Sequence, residues 1–95
     1  MVTRFTIWYT DEGERVYVKR DPNECGYAKL KTGDQVRICK GDTVVIDDGE
    51  NRHFAVVVKV HPTHFVFVNR QGWRITTPSG FPWKEVMVLN RTTEA

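Results

Sequence analysis

Residues 53–69 read HFAVVVKVHPTHFVFVN, and the reading of this stretch decides the fold. Two apolar runs, Phe54-Ala55-Val56-Val57-Val58 and Phe65-Val66-Phe67-Val68, flank His61-Pro62-Thr63-His64. β-Branched and aromatic residues at this density favour strands, and Pro at the second position of a four-residue turn suits a type I β-turn. The segment therefore predicts a β-hairpin. Neither arm alternates cleanly. Phe54, Val56, Val58 and Val60 form one face, yet Ala55 and Val57 opposite are apolar too, and Phe65 and Phe67 oppose Val66 and Val68. A sheet with one wet face alternates apolar and polar residues, so this hairpin is expected to be covered on both sides.

Working outward, the rest of the chain must supply the covers. Residues 3–10 (TRFTIWYT) alternate, with Phe5, Ile7 and Tyr9 on one face and Thr6, Trp8 and Thr10 on the other. After the turn Asp11-Glu12-Gly13-Glu14, residues 15–20 alternate again, with Val16 and Val18 together. This predicts a second hairpin, each arm with one apolar face, as a lid over Ala55, Val57, Val66 and Val68. Trp8 and Tyr17 share the opposite parity and are expected to stand exposed or against another partner. Residues 21–34 (DPNECGYAKLKTGD) hold Pro22, Asn23, Gly26 and Gly33, and read as a loop. The pair Gly33-Asp34 and Gly41-Asp42 then opens two extended segments eight residues apart, one carrying Val36 and Ile38, the other Val44 and Ile46. Trp73 to Thr76 predicts a strand, Pro78, Gly80 and Pro82 interrupt it, and Glu85 to Leu89 predicts a last one before a tail over 90–95. No segment carries a 3.6-residue apolar period, so the class is all-β.

From Gly41 onward the order resembles the SH3-like small barrel, the architecture of KOW, Tudor and related modules. The residues that carry the likeness are Gly41-Asp42-Thr43-Val44-Val45-Ile46, the twin strands of 53–69, Trp73-Arg74-Ile75-Thr76-Thr77-Pro78, and the turn Phe81-Pro82-Trp83 feeding Glu85 to Leu89. The resemblance covers about half the chain. It implies a barrel core over 35–89 within a single domain of residues 1–95, with residues 1–20 as an added N-terminal hairpin. It implies no functional residue.

Totals bound the function. A chain of 95 residues buries roughly 60–70% of its unfolded surface, enough for one core. No run approaches the ~18 apolar residues of a membrane-spanning helix, and no apolar run of signal length opens the chain, so the expectation is a cytoplasmic protein without a membrane. Fourteen Lys and Arg against twelve Asp and Glu give a net charge of +2 without a basic block, which permits an anionic partner without demanding one. Cys25 and Cys39 are expected as reduced thiols in such a compartment.

Two groups of side chains suggest binding. Trp73, Phe81 and Trp83 gather around the last strands beside Arg70, Arg74 and Lys84. Rings that stack bases, edged by cations that meet phosphate, suit single-stranded nucleic acid, and the same chemistry suits a peptide groove. The competing reading is that these rings close one end of the core. Alternation also turns Arg37, Lys59 and Arg74 outward, near Arg52 and Arg70. They make a phosphate-binding face if they converge, and a scattered solvated surface if they do not. His61 and His64 make one close pair, but Cys25 and Cys39 are too far apart in the sequence to supply, with His53, the second pair of a structural zinc site. No phosphate loop or nucleophile elbow is present, and neither a cofactor nor an enzyme is expected. The function expected is a non-catalytic binding module associated with nucleic acid. The alternative is a protein-interaction module that docks through Trp8, Tyr17 and the aromatic loop. A monomer is expected over a homodimer.

Overall fold

The computed structural model describes residues 5–89 and is all-β, with no helix among them. The strands are β1 (Phe5–Tyr9), β2 (Arg15–Lys19), β3 (Asp21–Leu30), β4 (Gln35–Lys40), β5 (Thr43–Asp47), β6 (Arg52–Val60), β7 (His64–Asn69), β8 (Arg74–Pro78), β9 (Pro82–Trp83) and β10 (Glu85–Val88). They form a five-stranded sheet in the order β10-β5-β6-β7-β8, a three-stranded sheet β4-β3-β9, and the two-stranded hairpin β1-β2. The barrel expected from the SH3-like order is not closed: the strands stay in separate sheets. The expected tail over 90–95 lies outside the described residues.

The 53–69 hairpin forms as expected, as β6 and β7 at the centre of the larger sheet. The amide of His61 donates to the carbonyl of His64 at 2.9 Å, closing the Pro62 turn. Its two faces serve two cores. Register pairs Val57 with Phe67 and Val56 with Val68, so Ala55 and Val57 share a face with Phe65 and Phe67. That face packs with Val44, Ile46 and Val86 of its own sheet against Ala28 and Ile38 of the three-stranded sheet. The opposite face carries Val56 and Val68, which meet Trp8 and Val18 of the hairpin β1-β2. The cover is therefore intramolecular, but the lid lies over Val56 and Val68 rather than over Ala55 and Val57.

Strand β1 of the lid also turns the other way up from the expectation, whereas β2 keeps Val16 and Val18 inward and Tyr17 exposed as expected. Phe5, Ile7 and Tyr9 are exposed, while Thr6, Trp8 and Thr10 are buried. The indole is the largest apolar group on either face of β1, and its inward placement satisfies the polar atoms beside it. Trp8 Nε1 donates to the carbonyl of Asn69 at 3.2 Å, and the Thr6 hydroxyl donates to the carbonyl of Gly41. Buried polar atoms need such partners, and here the sheet supplies them.

Residues 21–30, expected as loop, are a ten-residue strand. β3 pairs antiparallel with β4 along much of its length and parallel with β9 at Lys29 and Leu30, so it is β4 that holds the turn-like residues extended. The ladder with β4 breaks between Asp21 and Cys25, and Pro22, which has no N–H, falls in that break. Gly26 lies where β3 crosses the larger sheet: a Cβ there would meet Val60 Cγ1 at 3.0 Å and Phe65 Cε1 at 3.1 Å. The same register sets Cys25 opposite Cys39, with Cα atoms 4.0 Å apart, and the two are disulfide-bonded rather than free thiols.

A buried ion pair closes the β4–β5 corner. Asp42, 1% exposed, accepts from Arg20 at 3.2 Å and from the Cys39 amide at 2.9 Å. Gly41 precedes it at φ +91°, a backbone conformation that costs a side chain little only when the residue is glycine.

Candidate functional site

The aromatic loop expected to stack bases divides on folding. Trp83 is 3% exposed and packs edge-on to Phe67 at 6.1 Å and to Phe81 at 4.5 Å. It closes the main core, and half-buried Phe81 leans on it. Neither ring presents a face to a ligand. Trp73 differs: it sits in the β7–β8 turn, 68% exposed, the most open large apolar residue described. The carboxamide of Asn69 holds that turn by accepting from the amides of Gln71 and Trp73, each at 3.0 Å.

The cations separate as well. Arg70 and Arg74 flank Trp73 in sequence and both are exposed. Arg70 lies with its guanidinium 5.6 Å from the Trp8 ring and pairs with Asp11 at 3.6 Å, while its carbonyl accepts from the Asp11 amide. Thus the tip of the β1-β2 hairpin and the β7–β8 turn meet at Arg70. Arg74 is paired in register with Val68, on the lid side of the sheet, and Lys59, paired with Val66, projects from that same side. Arg37 does not join them. It alternates with Val36 and core-facing Ile38 on β4, so it leaves the opposite face of the sandwich. Arg52 is committed to acids, at 2.9 Å from Glu85 and 3.8 Å from Asp47. Trp73, Arg70 and Arg74 thus share the β7–β8 turn and its edge, while Trp83, Phe81, Arg37 and Arg52 lie elsewhere or are committed to other partners.

For the alternative docking surface, Trp8 is buried at 5% and Tyr17 is exposed at 56%. Tyr17 is exposed as expected, and it shares its face with Phe5, Ile7 and Tyr9, which alternation had assigned to the interior. Cross-strand register places Phe5 beside Lys19, Ile7 beside Tyr17 and Tyr9 beside Arg15 on the outer face of the hairpin. Alternation sorted the residues of each strand, but it set Trp8 with Tyr17, whereas the register sets Trp8 opposite Val16 and Tyr17 opposite Ile7. A second exposed apolar set crosses the larger sheet, where Val45 pairs with Phe54 on one side and Met87 on the other, with Leu89 beyond.

Two features carry other chemistry. A groove of about 760 Å³ between β3 and the β6–β7 turn is floored by Phe65 and Val60 and edged by Asp21, Glu24, Tyr27 and His61. Glu24 is already engaged there, accepting from the Val60 amide at 3.0 Å. His61 and His64 stack at 4.7 Å with the Thr63 hydroxyl 3.0 Å from the Nδ1 of each. Among the described residues no three His, Cys, Asp or Glu side chains come together in a metal-binding group. In the β5–β6 turn the amides of Asn51 and Glu50 donate to the Asp48 carboxylate and hold its pKa below the usual aspartate value. Comparison with known protein families, curated proteins and solved structures finds no match to this chain.

Proposed function

We propose that this chain is a non-catalytic, monomeric binding module for nucleic acid, with the β7–β8 turn as part of its contact surface. The observation that carries this reading is Trp73, 68% exposed between Arg70 and Arg74 on one short turn. A ring that costs free energy to leave in water, on a turn whose sequence carries two cations, suits a base stacked next to its phosphate. The cations supply the sequence-independent part of the affinity and the aromatic ring selects an unpaired base. The expected kinship with SH3-like modules is part of the same proposal, and rests on the order of β5 to β10.

The test is fluorescence anisotropy of labelled single- and double-stranded oligonucleotides at about 50 and 200 mM salt, the range over which phosphate contacts show themselves. Saturable binding that weakens with salt, and that Trp73→Ala and Arg74→Ala each reduce, is the expected result. No binding at the lower salt by folded protein refutes the reading. The second reading, a protein-interaction module, is favoured by one observation: Phe54, Met87 and Leu89 are 50%, 47% and 42% exposed in one apolar band beside Val45. Apolar bands of that kind mark protein contacts more often than nucleic-acid ones.

A further inference from the structure

The outer face of the β1-β2 hairpin is built in three cross-strand rungs, and each rung holds one aromatic ring. Phe5 stands opposite Lys19, Tyr17 opposite Ile7, and Tyr9 opposite Arg15. The exposures are 54% for Phe5, 56% for Tyr17, 51% for Tyr9 and 48% for Ile7, so the row is open along its length. The inner face of the same ribbon, with Trp8 and Val18, is already buried against the sheet. A two-stranded ribbon that is apolar on both faces gains nothing in stability from its wet one.

We infer that this outer face is a single-strand platform that takes three successive unpaired bases, on Phe5, Tyr17 and Tyr9, with Lys19 and Arg15 meeting the phosphates at its two ends. The inference rests on the nucleic-acid reading above and names the surface that stacks the bases. Charge complementarity selects this occupant. Among the described residues the outer face of the two strands carries two cations and no acid, and the acids Asp11, Glu12 and Glu14 are confined to the turn beyond the last rung. A second copy docked face to face would bring like charges into one contact, which an isologous interface disfavours. Spacing selects single over double strands. Rungs on one face of a strand lie roughly 6.8 Å apart, about twice the ~3.4 Å advance per nucleotide of a stacked duplex strand, so only a splayed strand keeps pace with the rings. The guanidinium of Arg15 leans inward from the end rung, 5.8 Å from the Tyr17 ring.

The experiment measures anisotropy of a labelled ten-residue oligothymidylate and of a same-length abasic strand, with wild type and the double variant Tyr9→Ala/Tyr17→Ala. Because two stacked bases are lost, each worth about 1–3 kcal/mol, the double variant is expected to weaken oligothymidylate binding by at least about thirtyfold and to leave the abasic strand unchanged. Tyr17→Phe, which keeps the ring, is expected to bind as wild type. Lys19→Gln/Arg15→Gln is expected to flatten the salt slope by about 1.4, two phosphates at ~0.7 each for a single strand. Three results overturn the inference: unchanged oligothymidylate affinity in the double variant, an equal loss on both strands, or a wild-type dimer in sedimentation that the double variant dissociates without altering strand binding. If Trp73→Ala abolishes binding while the tyrosine variant does not, the platform falls and the nucleic-acid function stands. If wild type binds neither strand, both fall.

Discussion

Replacing Trp8 by Ala tests which face of the N-terminal hairpin holds it to the sheet. The indole is 5% exposed among Val18, Val56 and Val68. A buried aromatic removes about 150–250 Å² from water, which at ~25 cal/mol per Å² is about 4–6 kcal/mol against an extended chain. A realistic denatured state, which already buries roughly 10–40% of that area, brings this to about 2–5 kcal/mol. The Nε1 hydrogen bond to Asn69 adds about 1 kcal/mol. The expected loss is thus about 3–6 kcal/mol, in line with the ~3–5 kcal/mol typical of Trp to Ala in a core. Domains of this size are stable by roughly 5–14 kcal/mol, so the variant is expected to fold weakly. Trp8→Phe keeps most of the apolar area and loses the donor, with an expected cost of about 1–1.5 kcal/mol. Ile7→Ala, one position away on the wet face and 48% exposed, is expected to cost below about 1 kcal/mol. Urea unfolding followed by far-ultraviolet circular dichroism orders the three variants without depending on the fluorophore removed. If Ile7→Ala costs more than Trp8→Ala, the hairpin docks by Phe5, Ile7 and Tyr9, and the platform proposed on that face does not exist.

Other consequences follow from single sites. The Cys25–Cys39 bond closes a loop with a sequence separation of 14, for which chain entropy gives about 3 kcal/mol. Reduction, or Cys25→Ser/Cys39→Ser, is therefore expected to lower Tm by about 12–24 °C in thermal unfolding, at roughly 4–8 °C per kcal/mol. An unchanged Tm would detach the bond from the stability of β3 and β4. Gly41→Ala is expected to be much worse than Gly33→Ala, though both residues have positive φ. A Cβ at Gly41 would come within 2.8 Å of Arg20 Cγ and 2.9 Å of Arg20 Cα, whereas one at Gly33 meets nothing within 4 Å. The Gly33 variant then shows only the left-handed backbone cost of ~1–2 kcal/mol, measured by urea unfolding. Asp48 is expected to titrate below 3.8 in a carboxylate NMR titration. Because its folded pKa is the depressed one, its small stabilising contribution is present above the unfolded value and is lost as pH falls through the folded one. A midpoint at or above 3.8 would mean that the Asn51 and Glu50 amides do not reach the carboxylate in solution.

The centre of the fold was legible because its signal is local. The density of Val and Phe in 53–69, with Pro62 at the turn, fixes a hairpin whatever surrounds it, and the want of polar alternation announces two covers. The partner of each face was not legible, since it depends on a register set by the bulge between Val57 and Lys59 and by pairing with β5. The N-terminal hairpin shows the same limit. Alternation sorts Phe5, Ile7 and Tyr9 from Thr6, Trp8 and Thr10, but both sets contain aromatic residues. The choice is made by the acceptor for the Trp8 indole, 61 residues away. β3 was hidden because Asp21, Pro22, Asn23 and Gly26 are turn formers, and it is pairing with the distant residues of β4, Asp21 with Lys40 and Gly26 with Ile38, that makes the segment a strand. Missing that strand also hid the disulfide, since nothing in the spacing of Cys25 and Cys39 reveals that they face each other. The bond bears in turn on the cytoplasmic expectation, as disulfides persist mainly in oxidising compartments. Trp83 failed as a ligand contact for a similar reason: β9 has two residues, too few for alternation to say which way a ring points.

Arg70 shows why the two candidate surfaces cannot be probed with equal clarity. Its guanidinium lies over the Trp8 ring and against Asp11, and its carbonyl accepts from the Asp11 amide, so its side chain helps to seat the lid. Its interaction with the ring, worth about 0.5–1 kcal/mol at an exposed site, is lost in Arg70→Ala along with a charge. Weaker binding in that variant therefore mixes a displaced platform with a missing phosphate contact. Arg74 makes no such contact with the lid tip in any interaction described above, and a loss there is read as charge alone. The two variants separate by salt: a missing phosphate contact flattens the salt dependence of binding, whereas a displaced lid lowers affinity by rearranging the aromatic rungs and leaves that slope close to its original value. Arg74→Ala is expected to change the slope by ~0.7, one single-strand phosphate. Arg70→Ala is expected to lose affinity with a smaller change in slope. If both variants shift the slope equally and leave the thermal stability of the lid untouched, Arg70 serves only the ligand, and the junction between hairpin and turn carries no structural weight.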